Sequence, residues 1–67
     1  MDTSDLKSAI RVAQSACRTA EKEAVYAQRR LAEDSDEVAA AEGAEYNLAT
    51  ALSLLDTAMR YCEKAES

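Results

Sequence analysis

Leu6, Ile10, Ala13, Cys17, Ala20, Ala24, Ala27 and Leu31 follow one another at alternating steps of four and three residues. That spacing lines up on one stripe of an α-helix and suits knobs-into-holes packing. The rhythm returns in Val38, Ala41, Glu45, Leu48, Leu52, Leu55, Met59 and Cys62, with Glu45 its only charged member. Two amphipathic helices are predicted, over about residues 4–33 and 36–65. The expected fold class is all-α, a two-helix antiparallel hairpin of coiled-coil character, assembling into a helical bundle by oligomerisation or with a partner.

Between the helices stand Glu33, Asp34, Ser35, Asp36 and Glu37, five polar residues of which four are acidic. Asp and Ser compete with helical hydrogen bonds through their own side chains, which places a turn at about residues 34–36. Asp34 with Glu37 three residues later reads as a capping pair for the second helix. The acidic cluster would also sit well at that helix's positive N-terminal end. No proline or glycine enforces the break and the heptad phase continues through Asp34, so one uninterrupted helix of about 60 residues is the competing arrangement. In a hairpin folded at Ser35, Leu31 comes near Val38, Ala20 near Leu48, Cys17 near Leu52, Ala13 near Leu55, Ile10 near Met59 and Leu6 near Cys62. Small residues then face large ones, as an interdigitated layer requires.

The second helix carries another heptad, offset by one residue: Ala40, Ala44, Asn47, Ala51, Leu54, Ala58, Tyr61 and Ala65. Both stripes cannot face the first helix. Together they span an apolar arc of about 180°, more than a two-helix seam uses, and surplus apolar surface of this kind marks an interface. The expected partner-binding residues are therefore Ala44, Asn47, Ala51, Leu54, Ala58 and Tyr61. Asn47 is the polar member that would set register or oligomeric state. A weaker counterpart on the first helix consists of Ala9, Val12, Ala16, Thr19, Glu23 and Tyr26. A second copy of the chain and a different helical protein are both occupants of the kind such a surface takes.

Composition sharpens this. Of the 67 residues 15 are alanine, while the larger aliphatics amount to six Leu, three Val and one Ile. A core this thin supplies only about 3–5 kcal/mol without disulfides, metal or oligomerisation, so a partner is expected on energetic grounds. Net charge is -5, with 13 acidic and 8 basic residues. The first 33 residues carry +1 and the remainder -6. Within the first part, Lys7, Arg11, Arg18, Lys22 and Arg29 fall within about 60° of one another on the helix face turned away from the inner stripe. Their like-charged i,i+4 pairs do not stabilise the helix. A solvated outer face and a strip for an acidic partner are the two readings. The overall negative charge disfavours nucleic acid.

Chemistry is sparse. The chain has no histidine, no CxxC pair and no glycine-rich phosphate loop, and its single glycine is Gly43; no enzyme activity, cofactor or metal site is expected. Cys17 and Cys62 both lie on the inner stripes, about 16 Å apart along a hairpin by helical rise, too far for an intrachain disulfide. They are read as small buried hydrophobes suited to a reducing compartment. Neither a membrane-spanning run nor a basic, apolar leader is seen, and a cytoplasmic location is expected.

The layout of Leu6 to Leu31, an acidic turn over 33–37 and Val38 to Cys62 resembles the small helical-hairpin co-chaperones of type III secretion systems. That resemblance implies an acidic hairpin clamped onto a tetratricopeptide-type chaperone to keep a needle subunit from polymerising. A second resemblance, carried by Lys7, Arg11, Arg18, Lys22 and Arg29, is to the Rop type of RNA-binding hairpin, and implies a dimeric four-helix bundle engaging paired RNA loops. The surplus apolar arc on the second helix favours the protein-binding role. The reading from sequence is thus a non-enzymatic interaction module, a small chaperone, co-chaperone or adaptor for a helical partner, with an RNA-binding regulator or a structural coiled-coil segment as alternatives.

Overall fold

Alanine, leucine, glutamate, lysine and arginine dominate the chain, all strong helix formers with little side-chain entropy to lose in a helix. In the computed structural model, which describes residues 2–67, they form two helices, α1 over Ser4–Arg30 and α2 over Asp36–Glu66. The two pack against each other as a hairpin measuring 50 × 14 × 12 Å. The uninterrupted single helix is thereby set aside.

The connection is longer on its α1 side, and differently capped, than the spacing suggests. α1 ends at Arg30 rather than near residue 33, with Leu31 already extended and its N–H donating to the Ala27 carbonyl at 3.0 Å. Asp34 takes a left-handed conformation with φ 63°. It is therefore not the cap of α2. Ser35 fills that position, its hydroxyl accepting the Val38 N–H at 3.1 Å. A residue in the left-handed region has turned the chain, and the next residue in extended geometry has the backbone angles a capping side chain needs. Asp36 and Glu37 occupy the first turn of α2, where the helix dipole favours them.

On α2 the inner stripe is as the heptad predicts: none of Val38, Ala41, Glu45, Leu48, Leu52, Leu55, Met59 and Cys62 is exposed, and Cys62 is buried. On α1 the contact face is centred on Ile10, Cys17 and Ala24 and is wider than the heptad. Ala13, Ala20 and Ala27 flank that line on one side, and Lys7, Gln14, Glu21 and Gln28 flank it on the other, all half-buried. Leu6, expected inside, keeps 56% of its surface. It shares the heptad position of those alanines near the open end of the hairpin, and its longer side chain extends past the contact. Leu31 lies just beyond α1 and is also largely exposed. Among the described residues three hydrophobic ones are buried, Ile10, Ala24 and Cys62, and no side chain is wholly enclosed.

Candidate functional site

Two sides of the hairpin differ in chemistry, and hydrogen bonds fix which is which. Lys7 Nζ donates to Glu66 Oε2 at 2.9 Å, and Gln28 Nε2 donates to Glu45 Oε2 at 2.9 Å. Lys7 and Gln28 are three heptads apart on α1, and Glu66 and Glu45 are three heptads apart on α2. Both bonds therefore close the same side of the molecule, one at each end. Thr3, itself buried, adds its hydroxyl as a donor to Glu66 Oε1. We refer to this as the clasped side.

Glu66 is held below the ordinary carboxylate range, first by the Thr3 hydroxyl and then by the Lys7 ammonium. Glu45, the one charged member of the inner stripe of α2, is tied to Gln28 of α1. Gln28 was not legible as a site residue from periodicity because it lies off the apolar stripe, and Thr3 and Glu66 were not because they are polar and stand one step beyond its ends. The signal was there in the register: extending the pairing of Leu6 with Cys62 by one turn brings Thr3 to Glu66.

The opposite side is what remains. Since Lys7 and Gln28 mark one flank of α1 and Glu45 and Glu66 one flank of α2, the other flanks of both helices share the second side. These are Leu6, Ala13, Ala20 and Ala27 of α1 with Ala44, Ala51, Ala58 and Ala65 of α2, bordered by Ala9, Ala16, Ala40, Asn47, Leu54 and Tyr61. Of the six partner-binding residues expected from sequence, Ala51 and Ala58 are half-buried at the helix seam. Ala44 and Asn47 are exposed, and Leu54 and Tyr61 keep 66% and 69% of their surface. Along α2 from Ala40 to Ala65 this stripe holds no charge. On α1 from Leu6 to Ala27 the corresponding flank holds one, Glu23.

The basic strip is divided by the fold. Lys7 is committed to Glu66 in the clasp and leaves the strip. Arg11, Arg18, Lys22 and Arg29 are exposed. Arg18, Lys22 and Arg29 line a shallow recess of about 470 Å³ together with Glu21, Val25, Tyr26 and Glu45. Glu21 and Glu45 temper the positive field there. Arg30 stacks its guanidinium 4.0 Å from the centre of the Tyr26 ring and donates to the Tyr26 hydroxyl. Cys17 is half-buried and Cys62 buried, and both are unbridged. Among the described residues no three acidic or sulfur side chains converge where a metal ion could be held. Nor, among those residues, is any helix long and apolar enough to cross a membrane.

Comparison with family models, with curated proteins and with solved structures gives no match. The functional reading rests on the geometry.

Proposed function

We propose that this chain is a non-enzymatic interaction module, a small acidic chaperone, co-chaperone or adaptor that binds a helical protein along α2 through Ala44, Asn47, Ala51, Leu54, Ala58 and Tyr61. Its work is to cover an amphipathic helix that is unstable or aggregation-prone alone, in the cytoplasm, as the resemblance to type III secretion co-chaperones implies. The observation that carries this reading is the pair of large apolar side chains, Leu54 and Tyr61, standing exposed on an uncharged stripe of a helix whose neighbouring stripe is already packed. A helix-in-groove partner presents apolar anchors at i, i+3, i+4 and i+7. An alanine floor beside two large anchors admits such a helix at close range.

The test compares the proteins held by the immobilised wild-type chain with those held by the double variant Leu54→Lys, Tyr61→Lys, with circular dichroism on both. Loss of the retained helical protein at unchanged helicity is the expected result; equal retention overturns the reading. A second reading, contact with paired RNA loops, draws on the exposed row Arg11, Arg18, Lys22 and Arg29. Glu21 and Glu45 in the same recess weigh against it. Arg11→Glu, Arg18→Glu and Lys22→Glu together would abolish RNA retention under that reading and leave protein binding untouched under the first.

A further inference from the structure

The hairpin leaves too much of itself in water. Its accessible surface is 5090 Å², whereas a compact monomer of this mass exposes about 4,200 Å². The surplus, about 900 Å², matches the roughly 800 Å² that each partner contributes to a stable protein interface. The side opposite the clasp presents Leu6, Leu54 and Tyr61 over a floor of alanine. It runs the length of a 50 Å molecule. In a chain of net charge -5 it is also the side on which two copies can meet without bringing their acidic residues together.

From these observations we infer that the unclasped side is the seat of a second copy of the same chain, laid face to face and reversed end for end, so that α1 runs against α1 and α2 against α2 in an antiparallel four-helix bundle. This rests on the reading of the hairpin as a helix-binding module, and names the helix it binds. The size pattern selects the reversed arrangement. Of the large side chains on this side, Leu6 and Tyr61 lie at the open end of the hairpin and Leu54 near mid-length of α2. Toward the turn the same side carries Ala20, Ala27, Ala40, Ala44 and Asn47.

Turning one copy end for end lays each large side chain over a small one. On α2 a single register brings Tyr61 over the second copy's Ala44, Leu54 over its Ala51, Ala58 over its Asn47 and Ala65 over its Ala40. On α1 the same register brings Leu6 over the second copy's Ala27 and Ala13 over its Ala20. The two registers agree because Thr3 lies level with Glu66 within each hairpin. An isologous contact requires this self-complementarity. A parallel arrangement would instead crowd Tyr61 against Leu6 of the other copy at the open end, and leave the alanines near the turn facing each other.

Sedimentation equilibrium and light scattering over a wide dilution series read the mass directly. The wild-type chain is expected at twice its 7.3 kDa. Ala51→Glu puts a charge at the centre of the contact and is expected to return the mass to that of one chain. Ala49→Glu, the same change at an exposed position on the clasped flank of α2, is expected to leave the dimer intact. Orientation is read by oxidation of cysteine variants: Ala44→Cys with Tyr61→Cys is expected to give an interchain disulfide that neither substitution gives alone. A 7.3 kDa wild-type chain at every concentration overturns the self-association, and so does a dimer equally insensitive to Ala51→Glu and Ala49→Glu. A folded monomer whose Leu54 and Tyr61 still govern retention of another protein would leave the module standing with a different occupant.

Discussion

Asp34 is the residue at which the chain reverses. Its left-handed backbone lets Ser35 enter extended geometry and cap α2. A β-carbon in that region costs energy, less for aspartate than for most residues, and none for glycine. Asp34→Gly is therefore expected to stabilise the hairpin by up to about 1 kcal/mol, seen as a rise of roughly 4–8 °C in the melting midpoint. Asp34→Val should lower it. An acidic run announces that a turn belongs here, but not which acidic residue adopts the strained conformation and which neighbour supplies the cap. Aspartate and serine have comparable capping preference, and the choice falls to the backbone angles each receives. Glu66 shows a similar division. Its place near the end of a helix-forming run is visible in the sequence, while its low pKa arises only when Thr3 and Lys7, more than fifty positions earlier, come to it.

The two helices respond to different changes. α2 contains Gly43 in its interior, where an added methyl group meets no atom within 4 Å. Gly43→Ala should stabilise α2 by about 1 kcal/mol through helix propensity alone, measured by urea denaturation with an unchanged m-value. The clasp at the open end titrates. Because Glu66 is depressed in the folded state from its ordinary 4.5, its contribution is fully present above that value and is lost as the pH falls through the folded value. Urea midpoints should thus decline on acidification below about 4.5 in the wild type, and decline less in Glu66→Gln. The ion pair alone is partly solvated and weak. What makes Glu66 effective is that one carboxylate satisfies both Lys7 and the buried hydroxyl of Thr3. Periodicity located both helices and the inner stripe of α2. It put the face of α1 a fraction of a turn off, counting Leu6 in and Lys7 out, because apolarity was the only criterion and lysine buries its methylenes readily.

At the scale of the molecule, three buried hydrophobic residues are a small core for a hairpin 50 Å long. Ile10, Ala24 and Cys62 bury little apolar area, and the ordering entropy of nearly the whole chain opposes it. Stability supplied by a second copy depends on concentration. The melting midpoint of the wild type is accordingly expected to rise with protein concentration, and that of Ala51→Glu to be lower and independent of it; differential scanning calorimetry over a dilution series reads both. Charge is arranged to the same end. The acidic residues of α2 avoid the stripe from Ala40 to Ala65; of the exposed arginines of α1, Arg11, Arg18 and Arg29 lie toward the clasped side and the back of the hairpin, and Arg30 borders the unclasped side at its turn end.

The sequence by itself determined that the chain is helical on either side of a polar segment at residues 33–37, without excluding one continuous helix, and that the second half has two apolar stripes of which only one can face the first; the break itself falls at residues 31–35. Those properties follow from propensity and from angular spacing along one helix, which are local. Only the tertiary structure decided which flank of α1 adjoins which flank of α2. A heptad gives the position of each residue around its own axis but not the rotation of one axis against the other, and that rotation is set where Lys7 meets Glu66 and Gln28 meets Glu45. Once the polar flanks close on one side, the alanines of both helices, with Leu6, Leu54 and Tyr61, are left together on the other. Two stripes that look separate along the chain become one surface because an antiparallel pair has two sides, and the hydrogen bonds have taken one of them.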